Sequence, residues 1–155
     1  MSRPLVFMMG RSPTFLPVDR RYAPNHMWAM PVEGGFRFGL SAYAVKLLGE
    51  LRHLAWSVET PARVARAQRI GYVEGSKATS DLYAPVAGRI ERFNPDVPAD
   101  PTLLNTHPYD AGWLLTMPGG DATLLMSPEA YQKHLEAVWP LAQRLLKGQA
   151  GDRPA

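Results

Sequence analysis

The chain has 155 residues, of which 17 are Lys or Arg and 14 are Asp or Glu, and it contains no Cys. This length predicts one compact domain, and a hydrophobic fraction of 46% beside a charged fraction of 20% argues against wholesale disorder. The absence of Cys excludes disulfides, cysteine-based zinc sites and a cysteine nucleophile, so any redox chemistry must come from a bound or covalent group.

Basic residues are concentrated at the two ends of the chain. Residues 1–21 contain four Arg and one Asp, residues 140–155 contain three basic residues and one Asp, and acidic residues outnumber basic ones between them. No basic face with interleaved aromatic residues is visible, as nucleic-acid binding would require. No apolar run reaches the roughly 18 residues of a membrane helix. We therefore expect neither nucleic acid nor membrane among the partners.

Residues 1–21 predict an extended basic arm on a cytoplasmic protein. The apolar run Leu5–Met9 is shorter than the apolar region of a secretory signal. Three prolines before residue 18 would break the amphipathic helix of a transit peptide.

The first half of the main region predicts a hairpin followed by a helix. Trp28–Val32 and Phe36–Leu40 are β-prone runs around a Glu-Gly-Gly turn. Ser41 is suited to cap a short helix over Ala42–Leu48, which the following glycine ends. Residues 52–58 predict a strand.

The second half predicts another hairpin, then a strand, a short helix and a last strand. Ile70–Glu74 and Ala78–Ala84 enclose a Gly-Ser-Lys turn. A strand is predicted over Arg89–Phe93, a short helix from Pro101 through Leu104, and a final strand over Trp113–Met117.

The C-terminal region predicts the strongest helix, which begins at Ser127-Pro128 and has apolar residues at helical spacing. Pro140 is expected to kink or split it. The predicted organisation is an arm at 1–21, a main domain at 22–139, and a helix extension with a disordered tail at 140–155, the tail being Gly148–Ala155.

Three arginines, Arg63, Arg66 and Arg69, follow one another at three-residue spacing. This spacing fits a helical stripe and equally fits the edge of a strand and loop. Two interpretations remain open: a solvated face, or a docking patch for an acidic partner.

No motif of a catalytic or metal site is present. The four histidines have no metal-ligand spacing, and the serines lie in no nucleophile elbow. The glycine pairs lack the patterns of phosphate-binding loops. The sequence therefore indicates neither an enzyme nor a metal protein.

Lys77 is distinctive because the chain uses thirteen Arg but only four Lys. It lies in the predicted turn between two strands, which would present its amine to solvent on a rigid base. From the residues alone, both a solvated charge and a modification site remain open.

Glu74–Gly88 resembles the lipoylation segment of the glycine cleavage H-protein family, E-S-[VT]-K-A-[AT]-S-D followed by Y-[AS]-P-V-x-G. Other segments resemble the same family in the same order: Tyr22–Trp28, Gly39–Ala44, Leu48–Glu50, Leu104–Trp113 and the helix containing Tyr131. The resemblance implies a mostly β fold with peripheral helices (α+β). It takes the form of a lipoyl-domain-like barrel-sandwich of two small sheets, with a helix after the first hairpin and a C-terminal helix.

The resemblance also implies a covalent cofactor, lipoate, attached to Lys77 through an amide. A lipoate–protein ligase or another lipoylating enzyme would attach it, and dihydrolipoyl dehydrogenase would be a further partner. Glu74, Gly75, Ser76 and Asp81 are then expected to help position the segment for the lipoylating enzyme. For Glu74 and Asp81, the alternative of ordinary polar hairpin residues remains open.

The sequence departs from the family where the arm is expected to rest. The family's H-E-W is here His26, Met27 and Trp28, so an apolar residue replaces a carboxylate suited to an ammonium-bearing cargo. His26 and Met27 are the expected residues of this cleft. Met27 is compatible with a sulfur-bearing arm, and packing under Trp28 is the alternative. The family segment L-P-x-V-G-x-x-V-x-x-G-E also differs here, because Ser57–Gln68 lacks its glycines and contains arginines instead.

These departures resemble the H-protein-like lipoate-binding proteins of the sulfur-oxidising heterodisulfide-reductase-like system. The first hypothesis is therefore a non-catalytic lipoyl carrier that takes sulfur-bound intermediates to a heterodisulfide-reductase-like complex. The alternative is a glycine cleavage H protein that shuttles an aminomethyl group among the glycine cleavage enzymes. A third hypothesis is an H-like interaction protein that is never modified.

Overall fold

The computed structural model describes residues 3–151, which form twelve strands, four α-helices and one short 3-10 helix at Ala122–Leu124. The strands are β1 Leu5–Met9, β2 Ser12–Leu16, β3 Arg21–Tyr22, β4 Met27–Val32, β5 Gly35–Leu40, β6 Leu51–Trp56, β7 Ala62–Val64, β8 Arg69–Gly75, β9 Thr79–Tyr83, β10 Gly88–Ile90, β11 Arg92–Phe93 and β12 Leu115–Pro118. The helices are α1 Ala42–Leu48, α2 Asp96–Ala99, α3 Leu103–Thr106 and α4 Pro128–Gly151.

The strands form small antiparallel sheets, which confirms the mostly β class with peripheral helices. Within the described residues the sheets number four rather than two, with the orders β3-β4-β5-β12-β11, β6-β8-β9, β7-β10 and β1-β2. One reason for the larger number of sheets is that the single strand predicted over residues 89–93 is two strands, β10 and β11. Arg89 pairs with Arg63, whereas Arg92 pairs with Thr116. The chain thus changes sheets at Glu91, as strands do at the corners of a sandwich.

The first predicted hairpin and helix are confirmed. β4 and β5 pair around the Glu-Gly-Gly turn, and α1 begins after Ser41, whose Oγ accepts a hydrogen bond from the Ala44 amide at 3.3 Å. Gly49 ends the helix with φ of +85°, in the left-handed region that glycine adopts easily.

The prediction of one short helix from Pro101 through Leu104 is wrong. Two single-turn helices, α2 and α3, lie on either side of Asp100. Asp100 does act at a helix start, because its Oδ1 accepts a hydrogen bond from the Thr102 amide at 3.2 Å just before α3.

The prediction of an extended arm at residues 1–21 is also wrong. β1 and β2 form a hairpin, called here the N-terminal hairpin, with Leu5 opposite Leu16 and Met9 opposite Ser12. Alternate residues of both strands are buried, namely Phe7, Met9, Thr14 and Leu16. The prolines that exclude a helix do not prevent this pairing, because an edge strand tolerates a missing amide donor.

The C-terminal helix begins where the sequence predicts, but Pro140 does not split it. α4 is continuous from Pro128 to Gly151 with Pro140 inside. Of the predicted disordered tail, residues 152–155 lie outside the described residues, and residues 148–151 belong to α4.

Two hydrophobic clusters hold these elements together. The first fills the space between the larger sheets and includes Met27, Leu54, Val73 and Leu104. The second is rich in aromatic residues and joins the N-terminal hairpin, α1 and α4; it contains Phe7, Met9, Leu16, Tyr22, Trp28, Tyr43, Tyr131 and Leu135. The Tyr22 and Tyr131 rings stack with centroids 4.5 Å apart, an arrangement that adds to their area burial.

The three spaced arginines form no helical stripe. Arg63 lies on β7, Arg69 on β8 and Arg66 in the loop between them, and all three are exposed. The strand-and-loop interpretation is therefore correct. A docking role for these residues stays a prediction.

Candidate functional site

Lys77 lies at the tip of the hairpin formed by β8 and β9, called here the Lys77 hairpin. Strand pairing continues to Glu74 opposite Thr79, and the Gly75 amide donates to the Ala78 carbonyl at 2.9 Å. The Lys77 side chain is exposed. Within the described part of the chain, its amine has no hydrogen bond or ion pair.

The tip of this hairpin is docked on the end of α1 through main-chain atoms. The Lys77 and Ala78 amides donate to the Leu48 carbonyl at 2.9 and 3.3 Å. The Ser76 amide donates to the Glu50 carbonyl at 2.9 Å, and the Glu50 amide donates to Ser76 Oγ at 2.9 Å. The Leu48 and Glu50 carbonyls lie at the helix end, where carbonyls lack partners within the helix. The backbone of Lys77 is thereby fixed while its amine remains accessible.

Two glycines make this docking sterically feasible. A Cβ on Gly75 would lie 2.1 Å from the Leu48 carbonyl oxygen, and a Cβ on Gly49 would lie 2.4 Å from Ser76 Oγ. Both distances are far below van der Waals contact. Gly75 therefore acts by allowing close approach of the backbones, a role in addition to the predicted recognition by an enzyme.

The predicted recognition residues surround the tip. Glu74 and Ser76 are exposed next to Lys77, whereas Asp81 lies further along β9. Asp81 Oδ1 accepts a hydrogen bond from Arg69 Nε at 3.0 Å, and this ion pair is exposed at both ends.

Leu48, Gly49 and Glu50 hold the tip, a role that is not predicted from their sequence pattern. A signal was present, because this segment matches the family pattern L-G-D. Its use as the seat of the hairpin depends on contacts between residues about 27 positions apart, which no local pattern reveals.

His26 and Met27 line a cavity of about 390 Å³ beside the Lys77 hairpin, called here the His26 cavity. Its wall includes Asn25, Ala44, Leu48, Ala78, Asp81 and Tyr83. The structure therefore brings His26, Met27 and Asp81 to one cavity. Ala78, the residue after Lys77, also lines this cavity. Met27 is 1% exposed and belongs to the first cluster, so packing accounts for most of its surface.

His26 is neutral near pH 7. Burial, and to a smaller extent the nearby His134 with its ring centroid 5.7 Å away, lower the pKa of its imidazole to about 4. Its Nδ1 is 2.9 Å from the Tyr131 hydroxyl. The backbone of His26 has φ of +71°, because the chain turns sharply between Ala23 and Met27. Among the described residues that line the cavity, Asp81 is the only carboxylate.

A second groove, of about 470 Å³, lies along another side of α1 and is lined by Lys77 itself. We call it the N-terminal groove. Its other lining residues include Met9, Ser12, Ala42, Lys46 and Trp139. The attachment point is thus flanked by two hollows of different composition.

Residues 3–151 contain no group of three His, Asp or Glu side chains placed to hold a metal ion. None of the helices described is long and apolar enough to cross a membrane.

Comparison with known proteins places this geometry in a family. The family model described as glycine cleavage H-protein matches residues 20–138. A glycine cleavage system H protein of Listeria innocua is 33% identical over 124 residues, which are 78% of this chain and 98% of the relative. The H protein of Pseudoalteromonas atlantica is 38% identical over 128 residues, 78% of this chain and 96% of the relative.

A solved structure agrees with these matches. The crystal structure of a glycine cleavage system H protein from Mycobacterium marinum has a TM-score of 0.69 and 32% identity, and the match covers 77% of this chain and 98% of that one. The chain therefore belongs to the glycine cleavage H-protein family, whose members are non-catalytic carriers of covalently attached lipoate.

Proposed function

We propose that Lys77 is the lipoate attachment site and that the chain is a carrier of the glycine cleavage type. The observation that carries this proposal is the docked tip: an exposed lysine amine on a backbone fixed by hydrogen bonds to Leu48 and Glu50. A modifying enzyme needs such a presentation, because it must reach one amine in a defined geometry.

The residues present fit the prosthetic group. The His26 cavity next to the tip is lined mainly by apolar side chains, including Leu48, Val73 and Leu82, which suit the hydrocarbon part of lipoate. When bound, lipoate supplies a dithiolane whose sulfurs take up and release a group by thiol–disulfide chemistry. Attachment through an amide removes the charge of Lys77 and leaves the docked backbone unchanged.

Recognition by a lipoate–protein ligase or another lipoylating enzyme is assigned to the exposed residues of the tip. Glu74 and Ser76 flank Lys77 at the surface, which supports direct contact with the enzyme. Gly75 and Asp81 are assigned indirect roles: Gly75 allows the tip to dock, and Asp81 is oriented by Arg69.

The proposed partners are the glycine cleavage enzymes, including glycine decarboxylase, aminomethyltransferase and dihydrolipoyl dehydrogenase, acting in the cytoplasm. The proposed cargo is an aminomethyl group. The names of the similar proteins support this choice over sulfur transfer. In the cavity, the carboxylate of Asp81 is the group suited to an ammonium-bearing cargo.

One observation favours a second candidate, in which the arm carries sulfur-bound intermediates to a heterodisulfide-reductase-like complex. Met27 occupies the place of a carboxylate, His26 is neutral, and Asp81 is already paired with Arg69. A cavity of this composition provides little compensation for a buried positive charge.

The first experiment measures lipoylation of the full chain. A lipoate ligase and lipoic acid are expected to add one lipoyl mass to the wild type and none to a Lys77→Arg variant, as measured by intact mass. Lys133→Arg is the matched control, since Lys133 is exposed on α4 and should leave the added mass unchanged. An unmodified protein from a native host with an active ligase would instead indicate the unmodified interaction protein.

The second experiment separates the two cargoes. Lipoylated wild type and a lipoylated Met27→Glu variant are offered to glycine decarboxylase and glycine, and loading is followed by mass. Efficient loading of the wild type supports the glycine cleavage role. Loading that appears only with Met27→Glu supports the sulfur candidate, provided that circular dichroism shows the variant is folded.

A further inference from the structure

The N-terminal groove differs from the His26 cavity in that Lys77 itself lines it. Of the residues at the hairpin tip, Ala78 lines the His26 cavity, whereas Ser76 and Lys77 line the N-terminal groove. Lys77 is therefore part of the wall of the N-terminal groove, and a group attached to its amine has this groove directly beside it.

Part of the wall of this groove comes from residues outside the family match at residues 20–138. Met9 and Ser12 belong to the N-terminal hairpin, and Trp139 belongs to α4. Lys46 on α1 holds this wall in place, because its Nζ donates to Ser12 Oγ at 2.9 Å and also to the Pro13 carbonyl. The groove is thus a fixed feature of the fold rather than a gap beside a loose arm.

The wall presents a thioether and an indole. Met9 is 9% exposed, and the half-buried Trp139 meets the Tyr43 ring edge-on, with centroids 6.2 Å apart. Sulfur makes favourable contacts with aromatic rings. The apolar side chains of the lining, including Val45 and Leu47, favour an alkyl chain over water, while Ser12, Lys46, Glu50 and Asn105 make the remainder of the lining polar. A lipoyl arm consists of a hydrocarbon chain and a sulfur-bearing ring, so the groove offers favourable contacts to both parts.

We propose that the N-terminal groove is the resting site of the arm attached to Lys77, with Met9 and Trp139 covering its sulfur-bearing end. This inference rests on the proposed lipoylation of Lys77. In this arrangement the N-terminal hairpin shields the arm between visits to partner enzymes, and the His26 cavity is an alternative site that a loaded arm can occupy.

Two alanines on α1 allow the two sites to be blocked separately. Ala42 lines the N-terminal groove and Ala44 lines the His26 cavity, and both are half-buried. Two residues apart on a helix, they point to different sides. Ala42→Leu and Ala44→Leu therefore form a matched pair in which the same side chain is added to one hollow or the other.

The first test measures how accessible the arm is. Each lipoylated protein is reduced and treated with iodoacetamide, and alkylation of the arm is followed by intact mass. We expect the arm of Ala42→Leu to be alkylated roughly tenfold faster than that of the wild type. This factor corresponds to a wild-type arm that is in the groove about ten times as often as it is free, with only the free arm reacting. Ala44→Leu should react at the wild-type rate. Equal rates in all three proteins, or acceleration by Ala44→Leu, would overturn the proposal.

The second test does not depend on Ala42→Leu being folded. A disulfide in contact with an indole quenches its fluorescence, so oxidised lipoylated wild type should emit less than the unmodified protein. The difference should disappear in Trp139→Phe, while the other three tryptophans remain. A difference that persists in Trp139→Phe, or no difference in the wild type, contradicts the resting site. The added lipoyl mass is measured in the same samples, so failure of lipoylation at Lys77 is distinguished from failure of the groove.

Discussion

Two hairpins contact helix α1, and they do so through different atoms. The Lys77 hairpin docks mainly through main-chain amides and carbonyls at the helix end, with one further hydrogen bond to Ser76 Oγ. The N-terminal hairpin docks through side chains: Phe7 meets the Tyr43 ring edge-on with centroids 6.0 Å apart, and Lys46 reaches Ser12.

The difference shows which sequence features each contact requires. Main-chain docking requires space, which glycine at positions 49 and 75 supplies, and it leaves Lys77 free to carry a group. Side-chain docking requires an alternating pattern of apolar residues and leaves the opposite face of the hairpin exposed, with Val6, Met8 and Phe15 about half accessible. Four substitutions or conditions test this contrast.

Removal of the Leu16 side chain should have the largest effect on stability and no effect on the Lys77 tip. Leu16 is 0% exposed in the second cluster, so Leu16→Ala should lower the free energy of unfolding by about 2–5 kcal/mol. Denaturant unfolding measures this loss. The rate of lipoylation, measured below the unfolding transition, should match the wild type.

The control is Phe15→Ala, at a position 52% exposed, which should change stability by about 0.5 kcal/mol or less. A slowed lipoylation in Leu16→Ala would show that the two hairpins are not independent.

Acidification should weaken the aromatic cluster that the N-terminal hairpin contacts. His26 has a pKa of about 4 in the folded protein against about 6.5 in the unfolded chain, so the unfolded state binds the proton more strongly. The stability contributed by neutral His26 is present above pH 6.5 and is lost as the pH falls from 6.5 to 4, by roughly 2–3 kcal/mol.

Denaturant unfolding between pH 7 and 4 measures this loss, and His26→Asn should reduce the slope because Asn tolerates the positive φ without titrating. His53→Gln, on the exposed face of β6, is the control that should retain it. An unchanged slope in His26→Asn would assign the pH dependence to other groups.

Addition of a methyl group at Gly75 should affect both stability and modification. The new Cβ would collide with the Leu48 carbonyl, so Gly75→Ala should cost about 1–3 kcal/mol and displace the tip. Lipoylation of Lys77 should become slower even at temperatures where the protein is folded. The control is Gly34→Ala. Gly34 has a left-handed backbone conformation and open space around it, so alanine should lower the stability without a collision and leave the lipoylation rate the same. Equal lipoylation rates in both variants would contradict the role assigned to the docked tip.

Loss of the Ser76 hydroxyl should have the smallest effect. Ser76→Ala removes the hydrogen bond that Ser76 Oγ accepts from the Glu50 amide and should lower the free energy of unfolding by about 1 kcal/mol. Thr79→Ala, at an exposed position on the same hairpin, should change it less. Hydrogen exchange of the Glu50 amide measures the local effect directly, and unchanged protection in Ser76→Ala would exclude this bond as a stabilising contact.

Much of the site could be predicted from the sequence because its signals are local. The turn between Ile70–Glu74 and Ala78–Ala84, the Ser41 cap and the glycine after α1 each depend on neighbouring residues. The segment around Lys77 further resembles a known family, and this resemblance implies lipoylation of the lysine. His26 and Met27, the two residues that the resemblance implied for the cleft, do line one cavity. Asp81 lines it too, although the resemblance implied a role for Asp81 only in lipoylation.

The rest depends on contacts between distant residues. The N-terminal hairpin was missed because the basic residues and prolines of 1–21 suggested an arm, while its burial depends on Tyr43 and on α4, far along the chain. The change of sheet at Glu91 depends on β7 and β12 as partners. Pro140 was expected to kink or split the last helix, and the split does not occur, since that helix continues to Gly151.

Main-chain docking of the Lys77 hairpin has an evolutionary consequence. The bonds from Leu48 and Glu50 use their main-chain carbonyl and amide groups, so a change of side chain in the His26 cavity, such as the one at Met27, leaves these bonds in place. The side chains that line the cavity can therefore change, as at Met27, while the lysine continues to be presented in the same way. A carrier built in this way can change what it transports by drift and selection in its walls, while the position of its arm is inherited unchanged.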